Sequence, residues 1–479
     1  MKKAGCILMS LILTLSAAGC KPQVNSSGTP VTTANFTIDP AVPESEAFQL
    51  PGLLSSQAVL QQNTVLKMWG QYAVDGPIAV KINDQTFYGE CKDGAFELLV
   101  KTPAASKENT VTFYSATEKK TITDVWFGEV FLCAGQSNMQ FTMAGIDAPE
   151  FQQTDFTSEN LRIATVPVLT VDHPVTEPYT ETAAVWQNID SGTLASASAV
   201  GYYFGVEMQK NLRCPVGIVV CAAGDTIIAS WLSTEDVQKL PPIYQGETDY
   251  WVRSPAHMYN TMLHPILNYY FRSVIWYQGE NQSYQYDVFL TEMIQDWRQY
   301  FQRPDLPFTV IELVACGESW LEKWPEIRAM QRKVCETLGN CTLSVGVDLG
   351  EEFEIHPTDK QPVGQRAAYA TLNALYSGDK PNSPVLKKAS LQDQQVVLEF
   401  TNAQGLKILG DGKGFEVSPD GKAYYAAQAR VEGEKVLLTY DGSFTPAYVR
   451  YAWANFSRPL ACLYNGGDMP ADSFLIKVE

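Results

Sequence analysis

The chain has 479 residues, 45% hydrophobic and 18% charged, which excludes global disorder and predicts two to four folded units at roughly 150 residues each. Its 35 Lys and Arg stand against 53 Asp and Glu, a formal charge of −18. Such an excess repels phosphate backbones and anionic lipid surfaces, so no nucleic-acid partner is expected.

Lys2 and Lys3 precede an apolar run from Ile7 to Leu15 and then Ser16-Ala17-Ala18-Gly19-Cys20, the layout of an export signal. The run falls short of the roughly 20 residues needed to cross a bilayer. Small residues directly before a cysteine resemble a bacterial lipoprotein processing box. Residues 1–20 are thus expected to be a lipoprotein signal peptide, with Cys20 the lipidated first residue and its lipid the only membrane attachment. The expected location is the cell envelope, with plain secretion as the alternative. Residues 21–46, rich in Pro, Ser and Thr and without periodicity, suit a flexible tether.

Of ten cysteines, Cys6 and Cys20 lie in that leader. The remaining eight form no CxxC pair, which argues against a zinc knuckle. Cys335 and Cys341 are near enough in sequence to be a disulfide candidate, whereas Cys133 and Cys221, within apolar runs, read as buried thiols.

Three regions of different periodicity follow. Residues 47–125 hold short β-rich runs (AVLQQ, TVLKMWG, IAVKIN, QTFYGE, AFELLVK, TVTFYS) separated by turns such as Asp75-Gly76 and Lys92-Asp93-Gly94, which predicts an N-terminal antiparallel β-sandwich. In 126–380, apolar strand-like runs at 126–133, 216–222, 273–277, 307–314 and 342–348 alternate with helical patterns. Examples are Val200, Tyr203, Phe204, Met208 and Leu212, or Ile327, Met330, Val334 and Leu338. This predicts a doubly wound α/β domain around a parallel five-stranded sheet, with its chemistry beyond the carboxyl ends of the strands. Residues 381–479 return to β character (VVLEF, KVLLTY, AYVRYAW) and predict a C-terminal β-sandwich.

Four strand ends carry candidate chemistry. Gly135-Gln136-Ser137-Asn138-Met139 places a serine hydroxyl at a strand-to-helix turn, although Met139, standing where the second glycine of G-x-S-x-G would be, counts against an α/β-hydrolase elbow. Ala222-Ala223-Gly224-Asp225-Thr226 allows a backbone N–H to approach a bound oxygen. Trp276-Tyr277-Gln278-Gly279-Glu280-Asn281 gathers carboxamides and one carboxylate about a glycine. Asp348 to Pro357 contains His356 among acids, the setting of a general base. The other histidines, His173, His257 and His264, read as structural, and with no HExxH-like spacing neither metal nor cofactor is expected.

The order Ser, Gly, carboxamide, His resembles that of the SGNH (GDSL-like) hydrolases. The wording GQSNM, GDTIIASW, WYQGEN and IHPTDK is similar to the branch of sialate O-acetylesterases and related carbohydrate acetylesterases. Val59-Leu60-Gln61, the stretch from Ser198 to Phe204, Tyr259-Asn260-Thr261-Met262, Val363-Gly364-Gln365-Arg366 and Tyr451-Ala452-Trp453 extend the likeness over nearly the whole mature chain. The resemblance implies a flavodoxin-like fold and an O-acetylated sugar as substrate. It also implies Ser137 as nucleophile, His356 as base, and Ser137 N–H, Gly224 N–H and the Gln278 amide as oxyanion donors.

The chain departs from the pattern in places. The general family has Asp three residues before the histidine, here Phe353, and the branch has Asp two before, here Glu354. Glu354 is therefore the leading orienting acid, with Asp348, Glu351 or a backbone carbonyl as alternatives. Glu280 and Asp348 are candidate supporting residues. The branch usually reads GGTPIEAW where Gly224 to Trp231 reads GDTIIASW. The expected function is a serine carboxylesterase for O-acetylated carbohydrates, foremost a sialate O-acetylesterase. The alternatives are an acetylesterase for xylan or other plant glycans, and a non-catalytic surface protein that binds carbohydrate.

Overall fold

The structure is a computed structural model describing residues 36–153, 155–169, 171, 173, 175, 177–240, 253–281, 284–318 and 323–479. The expected signal peptide, Cys20 and the first part of the tether lie outside the described residues. The N-terminal strands are β1 (Val59–Gln61), β2 (Val65–Gln71), β3 (Gly76–Ile82), β4 (Gln85–Lys92), β5 (Ala95–Lys101), β6 (Ser106–Tyr114) and β7 (Lys119–Gly135). Buried and exposed residues alternate strictly along β5, as packing of one face demands. Hydrogen bonding runs β2-β5-β4-β3-β6-β7 in one antiparallel sheet, and β1 pairs with β7 in parallel. The expected sandwich is thus one sheet rolled on itself. Phe96 of β5 and Phe113 of β6 are not neighbours in that order, yet their rings meet at 6.0 Å, and Phe48 caps both. Part of the expected tether is strapped down: Lys119 N–H donates to the Pro43 carbonyl (2.9 Å) and Ser45 N–H to the Lys119 carbonyl (2.8 Å).

Strand β7 organises the rest. Its 17 residues span roughly 56 Å at about 3.3 Å each, and every residue from Val125 to Gly135 is buried. The 125/126 boundary read from sequence therefore falls inside a single strand. The central region adds β8 (Thr157–Thr165), β9 (Trp186–Asp190), β10 (Val216–Ala222), β11 (Ser273–Tyr277), β12 (Phe308–Ile311), β13 (Ala315–Cys316), β14 (Cys341–Ser344) and β15 (Gly350–Glu351). The five expected runs pair in parallel in the order β10-β7-β11-β12-β14. The sheet is larger than expected, because β8 adds in parallel to β10 and β9 adds antiparallel to β8.

The helices are α1 (Ser137–Gln140), α2 (Ala199–Leu212), α3 (Thr234–Val237), α4 (Tyr286–Tyr300), α5 (Trp324–Thr337) and α6 (Gln361–Tyr376). Adjacent strand residues point to opposite faces. Phe308 of β12 packs on Trp297 of α4, while the Thr309 hydroxyl is hydrogen-bonded to that of Thr371 on α6. Helices α4 and α6 therefore cover opposite faces; α5 packs with α4 and α2 with α6. This is the doubly wound arrangement.

The C-terminal region forms two four-stranded antiparallel sheets around a second core. Val345 and Val347, expected to continue β14, turn out of the sheet into that core. All eight cysteines of the described residues are free, and the Cys335 and Cys341 sulfurs lie 3.3 Å apart without a bond.

One side chain fastens the rolled sheet to the central body. Arg162 of β8 is 1% exposed. It donates to the Gln57 and Asp124 carbonyls (2.8 and 2.7 Å), pairs with the Asp124 carboxylate, and lies 3.7 Å from the centroid of the Trp126 ring. Removing one member of a buried pair strands its partners. Arg162→Met is expected to lower the unfolding free energy by about 3 kcal/mol, measured by guanidinium denaturation. The better-solvated Asp124→Asn should cost about 1 kcal/mol.

Candidate active site

The site starts where β7 stops. Gly135 has φ +142, and a Cβ there would lie 2.0 Å from the Tyr277 carbonyl oxygen at the end of β11. Only glycine allows the two strand ends to close so tightly. The next residue, Gln136, continues the contact: its N–H donates to the Tyr277 carbonyl (3.1 Å) and its side-chain oxygen accepts from Gly279 N–H (3.3 Å). Ser137 then opens α1. As the first helical residue it has no carbonyl four positions back to bond, so its N–H remains free of the helix ladder.

Ser137 Oγ lies 2.8 Å from His356 Nε2, although 219 positions separate them in sequence. Both side chains are partly exposed. The Phe141 ring, just past α1, stacks on the imidazole at 6.1 Å with 19° between planes. Burial pushes the His356 pKa below the ordinary imidazole value and the nearby Lys360 charge pushes it further, while Glu354 opposes both. A ring held neutral near pH 7 can accept a proton from the hydroxyl.

Of the expected acids, Glu354 comes nearest. Its Oε1 accepts from the His356 main-chain N–H (2.8 Å) and lies 3.7 Å from the ring Nδ1. That anchors the loop but exceeds hydrogen-bond distance to the ring. The alternatives are engaged elsewhere. Asp348 takes both Arg366 guanidinium nitrogens (2.5 and 2.9 Å) and the Tyr464 hydroxyl (3.0 Å), and Glu351 caps Thr358 N–H at 2.9 Å. Phe353 is solvent-exposed.

Gly224 sits beside the serine: a Cβ on it would lie 3.5 Å from Ser137 Cβ. Its N–H donates to Gln140 Oε1 at 2.8 Å, so Gln140, which sequence reasoning passed over, occupies that donor in the resting site. Gln278 is wholly buried, and its amide nitrogen donates to the Thr226 carbonyl at 3.1 Å. One of its two amide hydrogens is thereby committed to bracing the Gly224 loop. Asp225, in place of the branch's second glycine, keeps the left-handed backbone (φ +60) that Asp tolerates better than most residues. Its carboxylate pairs with Arg253 and accepts from Asn281. Glu280 and Lys360 are buried close by, both linked to Asn138. His257 accepts from Val175 N–H (2.9 Å), its pKa lowered to about 4 by burial, and His264 Nδ1 lies 2.7 Å from the Tyr179 carbonyl oxygen.

Known proteins share this framework. Residues 127–373, more than half of the chain, match the family described as carbohydrate esterase, sialic acid-specific acetylesterase. The human sialate O-acetylesterase is 29% identical over 381 residues, covering 70% of this chain and 71% of that protein. Its mouse counterpart is 26% identical over 434 residues, 74% and 78% of the two chains. The crystal structure of a carbohydrate acetylesterase from Xanthomonas citri superposes with a TM-score of 0.82 at 26% identity, over 90% of this chain and 99% of that one. The chain belongs to the carbohydrate esterase family of sialic acid-specific acetylesterases. It is accordingly a hydrolase of carbohydrate esters.

The strand-end contact gives a direct test. Gly135→Ala would push a methyl into the Tyr277 carbonyl in a backbone region hostile to L-residues. It is expected to cost about 3 kcal/mol or more of stability and to abolish ester hydrolysis, checked by thermal melting and acetate release.

Proposed function

We propose that the protein removes O-acetyl groups from carbohydrates by a serine acyl-enzyme mechanism, with O-acetylated sialic acids as the foremost substrates. The observation that carries this reading is the 2.8 Å contact between Ser137 Oγ and His356 Nε2 in a chain of this family. His356 takes the Ser137 proton as the oxygen attacks the acetyl carbonyl. The resulting oxyanion sits against Ser137 N–H and Gly224 N–H. Gln140 Oε1 now lies on the Gly224 donor and marks where the substrate oxygen replaces it. The second amide hydrogen of Gln278 is the third donor. Protonated His356 then releases the sugar hydroxyl, and water repeats the sequence on the acetyl-serine.

Glu354 supports the ring weakly, because its contact is long and its side chain about half exposed. The pair acts essentially as a dyad. A second reading, a neutral plant-glycan ester such as acetylxylan, draws support from the charges at the rim. Asp225, Glu351 and Glu354 are acidic, and Asp225 already engages Arg253. We further propose export with a lipid on Cys20, on the strength of the Ser16-to-Cys20 sequence.

Four measurements test these readings. Ser137→Ala and His356→Ala should each lower turnover of an acetyl ester by about 10⁴-fold or more, whereas Glu354→Gln should lose only about five-fold, the worth of an exposed ion pair. Wild-type kcat/KM should rise with pH as His356 loses its proton, with half-height below about pH 6.5. Acetate release from O-acetylated sialic acids against acetylxylan decides the substrate; a clear preference for xylan overturns the sialate reading. Labelling with a radioactive fatty acid should mark the exported chain and be lost in Cys20→Ser.

A further inference from the structure

Behind the reacting atoms lies a network of side chains that the proposed chemistry does not use. Lys360, Asn138 and Glu280 are respectively 0%, 1% and 5% exposed. The Asn138 amide nitrogen donates to Glu280 Oε1 (2.7 Å) and to the Ile355 carbonyl (3.0 Å), while its oxygen accepts from Lys360 Nζ. Both amide hydrogens are used. A flipped amide would aim its oxygen at a carboxylate and a carbonyl and its hydrogens at an ammonium, so the chemistry of the partners fixes its orientation. Asn138 adjoins Ser137 and Ile355 adjoins His356. The bond between these neighbours thus sets the spacing of the hydroxyl and the ring. Lys360 Nζ also lies 4.9 Å from the centroid of the Phe141 ring, the ring stacked on His356.

We propose that Lys360, held against Glu280 through the Asn138 amide, is a positioning residue that locks the serine turn to the histidine loop and presents a buried positive charge to the imidazole. This inference rests on the Ser137–His356 reading above. Packing alone does not account for a lysine here. Burying an ammonium whose hydrogen-bond partner is a neutral amide is costly, and an apolar residue would fill the space at less expense. Burial lowers the Lys360 pKa to about 8, with Glu280, Glu351 and Glu354 opposing the shift, so the group stays charged across the acid range in which His356 titrates. The charges acting on the ring are Glu354 on its own loop and Lys360 just before α6, while Glu280 after β11 and Glu351 on β15 act on Lys360. In this set of carboxylates Lys360 supplies the cation that disfavours a second positive charge on the imidazole, in line with its part in lowering the His356 pKa.

The test compares pH profiles of kcat/KM for acetyl-ester hydrolysis in the full-length protein and its variants. Lys360→Gln keeps a donor for Asn138 and loses the charge, and Lys360→Met loses both. In each, His356 should hold its proton to higher pH, moving the acid limb upward by about half a pH unit or more, with kcat falling more than KM changes. Lys360→Arg should leave the limb near its wild-type position. Glu280→Gln removes the opposing charge and should move the limb downward. Limbs that coincide with wild type in Glu280→Gln and in whichever neutral lysine variants melt as folded proteins overturn the proposal, leaving Lys360 a purely structural residue. Failure of the esterase reading looks different: the wild type would release no acetate, or Ser137→Ala would match it.

Discussion

The close approach of the Gly135 backbone to the Tyr277 carbonyl sets the geometry on which the site depends. With no room for a side chain, β7 and β11 end level, and the chain must turn at once into the short helix α1. The serine hydroxyl, the Asn138 amide and the Phe141 ring are then distributed over five residues that share one rigid origin. The histidine loop arrives from the far edge of the sheet and meets all three, through the Ser137 contact, the Ile355 carbonyl and the ring stack. One backbone contact thereby positions both the serine hydroxyl and the groups that receive the histidine loop.

Charge is distributed unevenly about this point. The carboxylate nearest the imidazole is solvated and bonded to main chain, whereas the buried ionic groups, Lys360 and Glu280, lie behind an asparagine. A buried carboxylate on Nδ1 would raise the ring's basicity strongly; the exposed Glu354 raises it little. The imidazole is therefore governed by burial and by a lysine. This differs from a triad in which one acid both orients and charges the base.

Much of this was legible in the chain. The five apolar runs at 126–133, 216–222, 273–277, 307–314 and 342–348 reveal the parallel core because burial on both faces leaves no alternation to confuse them. Strands β8 and β9 escape the pattern: β8 carries Arg162 at its centre, and β9 is short and polar at Gln187 and Asn188. Helix α6 packs with small residues such as Gly364, Ala367 and Ala368, which carry a weak periodic signal. Val345 and Val347 look like a strand continuing, yet fill another core, a tertiary choice that local pattern does not encode. At the site, Ser137, Gly224 and His356 are legible as punctuation after strands. The bonds of Gln140, Lys360 and Asn138 depend on which loops meet, and no spacing along the chain reveals that.

The loop leading to His356 is braced from the C-terminal region. Ser457 Oγ donates to the Val347 carbonyl (2.7 Å), Arg458 to the Gly350 carbonyl (2.8 Å) and the Tyr464 hydroxyl to Asp348 (3.0 Å). These braces come from the last stretch of polypeptide to be synthesised, whereas the serine's strand is complete after less than a third of it. A chain still being synthesised thus carries Ser137 long before the loop that bears His356 has these braces. The loop that carries His356 is secured only once the C-terminal region is present to hold it.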